Sequence, residues 1–178
     1  MKNDIKEVIF TEEMIQKRVE ELGEELTKEY AGKSLLLIGV LKGCFIFFAD
    51  LARHIDVDCE IRFLTASSYG FSSVSSGKVN MDKEIDFDVE GKDVLIIEDI
   101  LDSGITLTAL RAFVAKHKPA SLKLCTLLDK PERRQLPITA EYTGFVCPNE
   151  FVVGYGLDYG ERYRNLPFVG SLKPEIYS

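Results

Sequence analysis

The chain has 178 residues and a mass of 20.1 kDa, of which 46% are hydrophobic and 29% charged. This composition is typical of a single folded domain and excludes a disordered or fibrous chain. The formal net charge of −7 and the pI of about 5.0 argue against broad binding to nucleic acid or to an anionic membrane. Binding of an anionic small molecule is compatible with this net charge, because backbone amides, cationic side chains or a metal ion at the site outweigh the negative potential of the whole protein.

Two further features bear on location. The start of the chain carries charges and lacks a signal-peptide pattern. Residues 34–52 are apolar, but Lys42 lies near their middle, where a charge within a bilayer costs about 3 kcal/mol or more. We therefore predict strand, turn and helix there, and no membrane association. Four cysteines lack metal-ligand spacing, which predicts reduced, mostly buried thiols in a cytoplasmic protein: Cys44, Cys59, Cys125 and Cys147.

Apolar periodicity and the turn residues between apolar runs predict alternating helices and strands. Helices are predicted over residues 11–30, 45–54 and 106–117. Strands are predicted over residues 35–41, 59–67, 93–97, 122–128 and 151–153. The first of these strands is a continuous apolar run, as expected for burial on both faces of a parallel sheet. The order predicts a doubly wound α/β fold with ligands at the carboxyl ends of the strands.

The serine-rich stretch that begins at residue 67 has no acidic residue before Met81 and little apolar content. Such a segment cannot bury itself, so we predict a mobile loop over about residues 67–80.

Residues 94–106 carry the most specific pattern. A hydrophobic strand runs into two adjacent carboxylates, then a third acid, two hydroxyl residues and a glycine at a helix start: Glu98, Asp99, Asp102, Ser103, Gly104 and Thr106. Carboxylates accept hydrogen bonds from sugar hydroxyls, and helix-start amides bind a phosphate. The alternative is an ordinary turn in which Asp102 or Ser103 caps the helix.

This segment resembles the ribose-phosphate loop of the type I phosphoribosyltransferases. Its form Glu-Asp-Ile-Leu-Asp-Ser-Gly-x-Thr is similar to the hypoxanthine(-guanine) branch of that family. The resemblance extends over roughly residues 36–172. It implies a twisted, mainly parallel sheet flanked by helices. It also implies a single domain over residues 1–178, with a small hood subdomain formed by the N-terminal and C-terminal segments.

The resemblance also implies roles for this loop. Asp102 would be catalytic, exchanging a proton with N7 of a purine base. The ribose and its 5′-phosphate would be bound by Glu98, Asp99, Ser103, Gly104, Ile105 and Thr106. Mg²⁺ is the expected cofactor: Glu98 and Asp99 would hold the inner waters of one ion, and Asp158 would hold a second ion through water and the pyrophosphate.

A second matched segment, Leu41-Lys42-Gly43, resembles the pyrophosphate loop of the family. The family usually has a non-proline cis peptide between the positions of Leu41 and Lys42, which would direct backbone amides at the leaving pyrophosphate. Lys42, Gly43 and Arg164 would bind that group. Without the resemblance, residues 41–43 form an ordinary strand-to-helix turn, and no role is assigned to Cys44.

Ser68 and Tyr69 open the serine-rich segment and match the family's lid, which closes over the reacting centre and excludes water. The alternative is a disordered hairpin tip.

Base recognition is expected from Lys130, Phe151, Val152 and Asp158. The Lys130 ammonium offers only donors, which suits a 6-oxo group and disfavours adenine. Phe151 would stack on the base, and the Val152 carbonyl would accept a hydrogen bond from its edge. Read alone, Lys130 would be a surface residue and Phe151 a core residue. Residues 131–134 are predicted to be solvated, with Arg134 a further candidate for phosphate contact.

The resemblance implies a purine salvage enzyme that transfers a pentosyl group. Its substrates would be phosphoribosyl pyrophosphate and hypoxanthine, or guanine as well. Its products would be IMP or GMP, and pyrophosphate. The residues do not distinguish xanthine from these bases. Relatives are usually homodimers or homotetramers. Two rivals stay open: a regulator of the same fold that senses nucleotides and binds RNA, and an α/β domain that forms an aspartyl phosphate on its acid cluster.

Overall fold

The computed structural model describes residues 1–68, 79–81 and 84–177. Its helices are α1 (Glu12–Tyr30), α2 (Phe45–His54), α3 (Ile105–Ala115) and the short α4 (Pro174–Tyr177). Its strands are β1 (Ile5–Phe10), β2 (Leu35–Leu41), β3 (Cys59–Ser68), β4 (Val79–Met81), β5 (Asp93–Leu101), β6 (Ser121–Asp129), β7 (Tyr142–Val146), β8 (Val152–Val153) and β9 (Val169–Leu172). Two 3₁₀ turns lie at Lys2–Asp4 and Pro131–Arg133.

The larger sheet has the strand order β4-β3-β2-β5-β6-β7. Strands β3, β2, β5, β6 and β7 are parallel to their neighbours, and β4 adds an antiparallel edge beside the end of β3. In the parallel register Leu37 pairs with Ile61 on one side and with Leu95 on the other. The predicted mainly parallel α/β sheet is therefore confirmed.

Strand β2 is buried on both faces, as its unbroken apolar run predicts. Leu35 and Leu37 belong to the core that α1 and α2 cover. Leu36 and Ile38 point the other way, into the core that α3 covers. Because successive strand residues alternate between faces, one run of leucines builds two hydrophobic layers. Each fully buried side chain of this size stabilises the fold by about 2 kcal/mol.

Helix α1 follows directly from its sequence. The Thr11 hydroxyl accepts a hydrogen bond from the Met14 amide at 3.3 Å, which satisfies one of the free amides of the first turn. The residues that pack against the sheet recur at helical spacing: Ile15, Val19, Leu22, Leu26 and Tyr30. The predicted span of residues 11–30 differs from the observed one only in making the cap residue part of the helix.

Other boundaries differ from the sequence predictions. Strand β5 extends to Leu101, so Glu98 and Asp99 lie within the strand and not after it. Helix α3 begins at Ile105, with Gly104 as its N-cap residue and no side-chain cap. Phe151 precedes β8 and is not part of it. The prediction missed β1, β4, β7 and β9, and of these β1 and β9 pair with each other across almost the whole chain.

A second, three-stranded antiparallel sheet has the order β1-β9-β8. Ile5 pairs with Leu172, so the two ends of the chain meet in this sheet. A small apolar cluster lies beside it, formed by Val153, Tyr163, Leu166 and Leu172. This packing places the segment after β8 beside the carboxyl ends of the larger sheet.

Part of the predicted mobile loop is strand. Ser67 and Ser68 belong to β3 and pair with Asn80 and Val79 of β4. Tyr69, the second predicted lid residue, lies with residues 70–78 outside the described residues. Among the described helices, none is both long enough and apolar enough to cross a membrane.

Candidate active site

The predicted site residues gather where β2, β5 and β6 end. Lys42 and Gly43 follow β2, Asp102 and Ser103 follow β5, and Lys130 follows β6. Since these three strands are parallel neighbours, their carboxyl ends lie side by side, which is where open α/β sheets bind ligands.

Gly43 shows how tightly these loops pack. The Leu41–Lys42 peptide that precedes it is cis, as the family resemblance implies. A Cβ atom on Gly43 would collide with the carboxylate of Asp99. On the far side, Gly156 has φ +105° and leaves no room for a Cβ against the Gly43 carbonyl. The loop after β2, the acidic strand end and the loop after β8 therefore touch one another through backbone and carboxylate.

Glu98 and Asp99 form a coupled acidic pair. The Asp99 amide donates to Glu98 Oε1 at 3.3 Å, and the Ile100 amide donates to Asp99 Oδ1 at 2.8 Å. Burial raises the pKa of both carboxyls, and the Asp99 charge raises the pKa of Glu98 further. The same charges, after burial itself, raise the pKa of the neighbouring Cys44 thiol.

The loop between β5 and α3 presents amides to solvent. Gly104 has φ +83°, a left-handed conformation that favours glycine. The Ile105 amide donates to the Ser103 hydroxyl at 3.3 Å, and Thr106 lies in the first helical turn. Because the first amides of a helix lack partners within the helix, this turn can bind a phosphate group.

Arg134 holds the loop between β5 and α3 in place through that loop's backbone. Its guanidinium donates to the Asp102 carbonyl at 3.0 Å and forms an ion pair with Asp129. The Gln135 amide donates to the Ser103 carbonyl at 2.9 Å. The side chain of Arg134 is only 15% exposed. The structure thus engages Arg134 in holding the loop, which corrects the expectation of a solvated side chain.

Asp102 has a partner that the sequence did not indicate. Arg133 Nε lies 2.8 Å from Asp102 Oδ1, and both side chains keep solvent access. Arg133 was predicted to be a solvated surface residue. The signal that could have identified it is its position three residues after Lys130, within a short turn at the end of β6.

Lys130 lies in a buried position and not on the surface. It is 5% exposed, and its Nζ donates to the Glu150 carbonyl at 2.6 Å. Burial lowers the pKa of its ammonium. Two of the three N–H donors of an ammonium stay available for a ligand. The contact with Glu150 brings Lys130 beside Phe151, the next residue in the chain.

Phe151 is half-exposed and does not belong to the core. Its ring stacks on Tyr177 of α4 with centroids 4.9 Å apart, and meets Tyr159 edge-on at 5.5 Å. Val152 is buried in the main core, and its backbone pairs with Ser171 in β9. The Phe151 ring therefore lies in an aromatic group with Tyr159 and Tyr177, one residue after the carbonyl that Lys130 contacts.

The turn after Leu157 carries a chain of ion pairs. Arg164 NH2 lies 2.9 Å from Asp158 Oδ1 and 3.3 Å from Glu161 Oε2. Glu161 Oε1 lies 3.1 Å from Lys42 Nζ. Asp158 Oδ2 also accepts from the Glu161 amide at 2.9 Å. The predicted pyrophosphate residues Lys42 and Arg164 are therefore brought together, through a glutamate that the sequence analysis did not single out.

Tyr155 is a second residue that was missed. It has φ +50° and is 2% exposed, and its hydroxyl donates to Asp50 of α2 at 2.6 Å. The Arg164 guanidinium donates to the Gly156 carbonyl at 2.7 Å. These two bonds hold the loop of residues 154–156 against α2 and Arg164. A tyrosine between two glycines was the only local signal of this anchor.

The acid groups suit a magnesium ion in chemistry, since Mg²⁺ prefers hard oxygen ligands. Glu98 and Asp99 together supply adjacent buried carboxyls whose raised pKa values a nearby cation would lower again. Within residues 1–68, 79–81 and 84–177, no three acidic, histidine or cysteine side chains converge as a ready-made metal site.

Comparison with known proteins agrees with this geometry. The family model described as "Phosphoribosyl transferase domain" matches residues 8–160. A hypoxanthine-guanine phosphoribosyltransferase of Bacillus subtilis is 56% identical over 177 residues, covering 99% of this chain and 98% of that protein. A crystal structure of a hypoxanthine phosphoribosyltransferase from Staphylococcus aureus superimposes with a TM-score of 0.94 at 52% identity, covering 100% of this chain and 97% of the other.

Another group of relatives is longer. The "Bifunctional protein TilS/HprT" of Listeria innocua is 56% identical over 178 residues, which is 100% of this chain but 28% of that protein. The chain thus spans less than a third of the length of these bifunctional relatives.

Proposed function

Since the chain belongs to the phosphoribosyl transferase family, we propose that it is a purine salvage enzyme of the hypoxanthine-guanine type. It transfers the 5-phosphoribosyl group from phosphoribosyl pyrophosphate to hypoxanthine, and to guanine, giving IMP or GMP and pyrophosphate. The purine N9 replaces pyrophosphate at the anomeric carbon of the ribose. Relatives that this chain covers over almost their full length are named hypoxanthine-guanine phosphoribosyltransferase.

One observation carries the proposal. Gly43, Asp99 and Gly156 pack against one another so closely that no Cβ fits at either glycine. This contact joins the segments proposed to bind pyrophosphate, ribose and base. A reaction that exchanges pyrophosphate for a base at one ribose carbon requires all three ligand parts to meet within a few ångströms.

The charge of each group determines the part of the substrate that it is proposed to bind. The transition state gathers negative charge on the leaving pyrophosphate, which Lys42, Arg164 and the amides around Gly43 would stabilise. Glu98 and Asp99 would bind the ribose hydroxyls. The first turn of α3, with Ser103, Gly104, Ile105 and Thr106, would bind the 5′-phosphate.

The residues around the purine base have proposed roles that follow from their chemistry in the same way. Asp102 would accept the N7 proton of the attacking purine and return it in the reverse reaction. Lys130 would donate to the 6-oxo group, and Phe151 would stack on the ring. The buried ammonium of Lys130 supports discrimination against adenine, because a 6-amino group would leave donors facing donors. Val152 would accept from the base edge.

Mg²⁺ is the proposed cofactor: Glu98 and Asp99 would hold the inner waters of one ion, and Asp158 would hold a second ion through water and the pyrophosphate. When bound, the ions supply positive charge against the pyrophosphate group. Both carboxylate oxygens of Asp158 already have partners: Oδ1 pairs with Arg164, and Oδ2 accepts from the Glu161 amide. Asp158 would have to share these oxygens with the metal-bound water.

The test is a set of steady-state rates with hypoxanthine, guanine, xanthine and adenine at fixed phosphoribosyl pyrophosphate and Mg²⁺. We expect turnover of hypoxanthine and guanine, little with adenine, loss of activity in EDTA and its return with Mg²⁺. Failure to consume phosphoribosyl pyrophosphate with any base would refute the proposal and favour aspartyl phosphate chemistry on the acid cluster.

The nucleotide-sensing, RNA-binding regulator of the same fold is the second candidate. Its main support is the shared fold, while the net charge of −7 weighs against it. Filter binding with single-stranded and structured RNA tests it directly. Retention of RNA at physiological salt would contradict the proposed absence of a nucleic-acid partner.

We also propose a homodimer or homotetramer. Exposed apolar side chains lie at the start of α2 and on β3, namely Phe45, Ile61 and Phe63, and exposed apolar clusters of this kind commonly mark interfaces. Sedimentation velocity at micromolar concentration tests the assembly, and a monomer would contradict it. The proposed single domain over residues 1–178, the lid at Ser68 and Tyr69 and the cytoplasmic location stay predictions, which limited proteolysis, ligand-dependent protection and cell fractionation would test.

A further inference from the structure

Glu161 lies between two cations that the proposed function assigns to pyrophosphate. Its Oε1 is 3.1 Å from Lys42 Nζ, and its Oε2 is 3.3 Å from Arg164 NH2. Each carboxylate oxygen thus meets a different cation, and the two cations come from loops at opposite ends of the chain. A pyrophosphate group bound by Lys42 and Arg164 would use the same donors.

The backbone of Glu161 has an unfavourable conformation. Its φ is +63°, a left-handed conformation that glutamate rarely adopts. The Glu161 amide donates to Asp158 Oδ2 at 2.9 Å, and Tyr159 pairs with Arg162 to close the turn. An unfavourable backbone that persists in a binding region is a reason to look for a function.

Stability alone does not account for the contact. Glu161 and Lys42 are each 64% exposed, and ion pairs this exposed contribute little to folding. Hydrogen bonds from Lys42, then from Arg164, lower the pKa of the Glu161 carboxyl, so it is ionised at neutral pH. Arg164 Nε is buried and meets no acceptor among the described residues. Arg164 NH2 also lies 2.9 Å from Asp158, so Glu161, at 3.3 Å, is the more distant and more exposed of its two anionic partners.

We propose that Glu161 is an internal placeholder for pyrophosphate. Its carboxylate neutralises Lys42 and Arg164 in the free protein, leaves them when the diphosphate of the substrate arrives, and returns as pyrophosphate departs. Two anions cannot share the same pair of cations at full strength, so Glu161 weakens pyrophosphate binding and speeds product release. The inference rests on the proposed function, because it concerns the same pyrophosphate site.

The test compares binding of inorganic pyrophosphate, in excess Mg²⁺, to the wild-type chain and to Glu161→Gln by isothermal titration calorimetry. Losing one or two exposed ion pairs that compete with the ligand predicts roughly 3- to 30-fold tighter binding. Product inhibition by pyrophosphate should strengthen by the same factor. Glu20→Gln on the exposed face of α1 removes the same charge far from these residues and should leave binding unchanged.

The outcomes separate the two proposals. If both proteins turn over hypoxanthine and bind pyrophosphate equally, the placeholder is refuted while the proposed function stands. Weaker binding by Glu161→Gln would also refute it, and would mean that the carboxylate holds Lys42 and Arg164 in position for the ligand. If neither protein binds pyrophosphate nor consumes phosphoribosyl pyrophosphate, the proposed function itself fails. A thermal melt of Glu161→Gln at the wild-type midpoint shows that the comparison is between folded proteins.

Discussion

The acids around β5 occupy contrasting surroundings although they are close in sequence. Asp99 is buried and Glu98 is half-buried, and this burial raises the pKa of both carboxyls. Asp102 is 38% exposed and faces Arg133. The pair is suited to binding hydroxyls or a cation, whereas Asp102 is accessible to a base that approaches from solvent. Burial thus separates binding acids from the acid proposed to move a proton.

For Asp102 we expect Asp102→Asn to lower kcat by roughly 10²- to 10⁴-fold, since the amide keeps the size but loses the proton acceptor. Binding of IMP, measured by calorimetry, should stay near the wild-type value. Asp58→Asn on the surface before β3 serves as the matched control. A wild-type rate for Asp102→Asn would show that another group takes the proton.

At the scale of elements, the site depends on how closely loops approach one another. Gly156 and Gly160 both have positive φ, at +105° and +59°. A Cβ at Gly156 would meet the Gly43 carbonyl, whereas nothing lies within 4 Å of a Cβ at Gly160. The same segment therefore offers one glycine required by both packing and backbone conformation, and one required by backbone conformation alone.

This difference predicts that Gly156→Ala lowers kcat/KM for phosphoribosyl pyrophosphate by about 10²-fold, because a displacement near 1 Å at a reacting site has that effect. Gly160→Ala should change kcat/KM by only a few fold. Both variants should fold, as judged by circular dichroism. Equal kinetic losses in the two would mean that backbone conformation, and not contact with Gly43, is what matters.

At the scale of the whole molecule, one ion-pair network links α1 to the larger sheet. Glu29 Oε1 lies 2.7 Å from Lys123 Nζ of β6 and 2.9 Å from Lys33 Nζ. Hydrogen bonds from Lys123, then from Lys33, lower the pKa of Glu29 to about 2. Because the folded pKa lies below the unfolded one, the pair stabilises the protein above about pH 4.3, and this stabilisation is lost as pH falls toward the folded pKa.

We therefore expect Glu29→Gln to lower Tm at pH 7, with the difference from wild type shrinking between about pH 4.3 and 3. Differential scanning calorimetry over this range measures it. Glu24→Gln, on the exposed face of the same helix, controls for helix propensity and net charge. A difference that keeps its size at pH 3 would exclude the ion pairs as its cause.

Much of the fold was predictable because its signals are local. The unbroken apolar run of β2 and the spacing of Ile15, Val19 and Leu22 in α1 each depend on neighbours within a few residues. Strands β1 and β9 were missed because each is short and pairs with a segment at the other end of the chain. Nothing within six residues of Ile5 indicates Leu172.

The amino-acid sequence by itself determined which strands bring the loops proposed to carry the chemistry to one edge of a sheet. Those loops are strand-to-helix connections, and their acids, glycines and hydroxyls lie within a few positions of one another. Only the tertiary structure decided what each side chain faces: Arg133 against Asp102, Arg134 beneath the phosphate loop, and Glu161 between Lys42 and Arg164. Such contacts depend on the distance and burial created when remote segments pack, and chain order alone contains neither quantity.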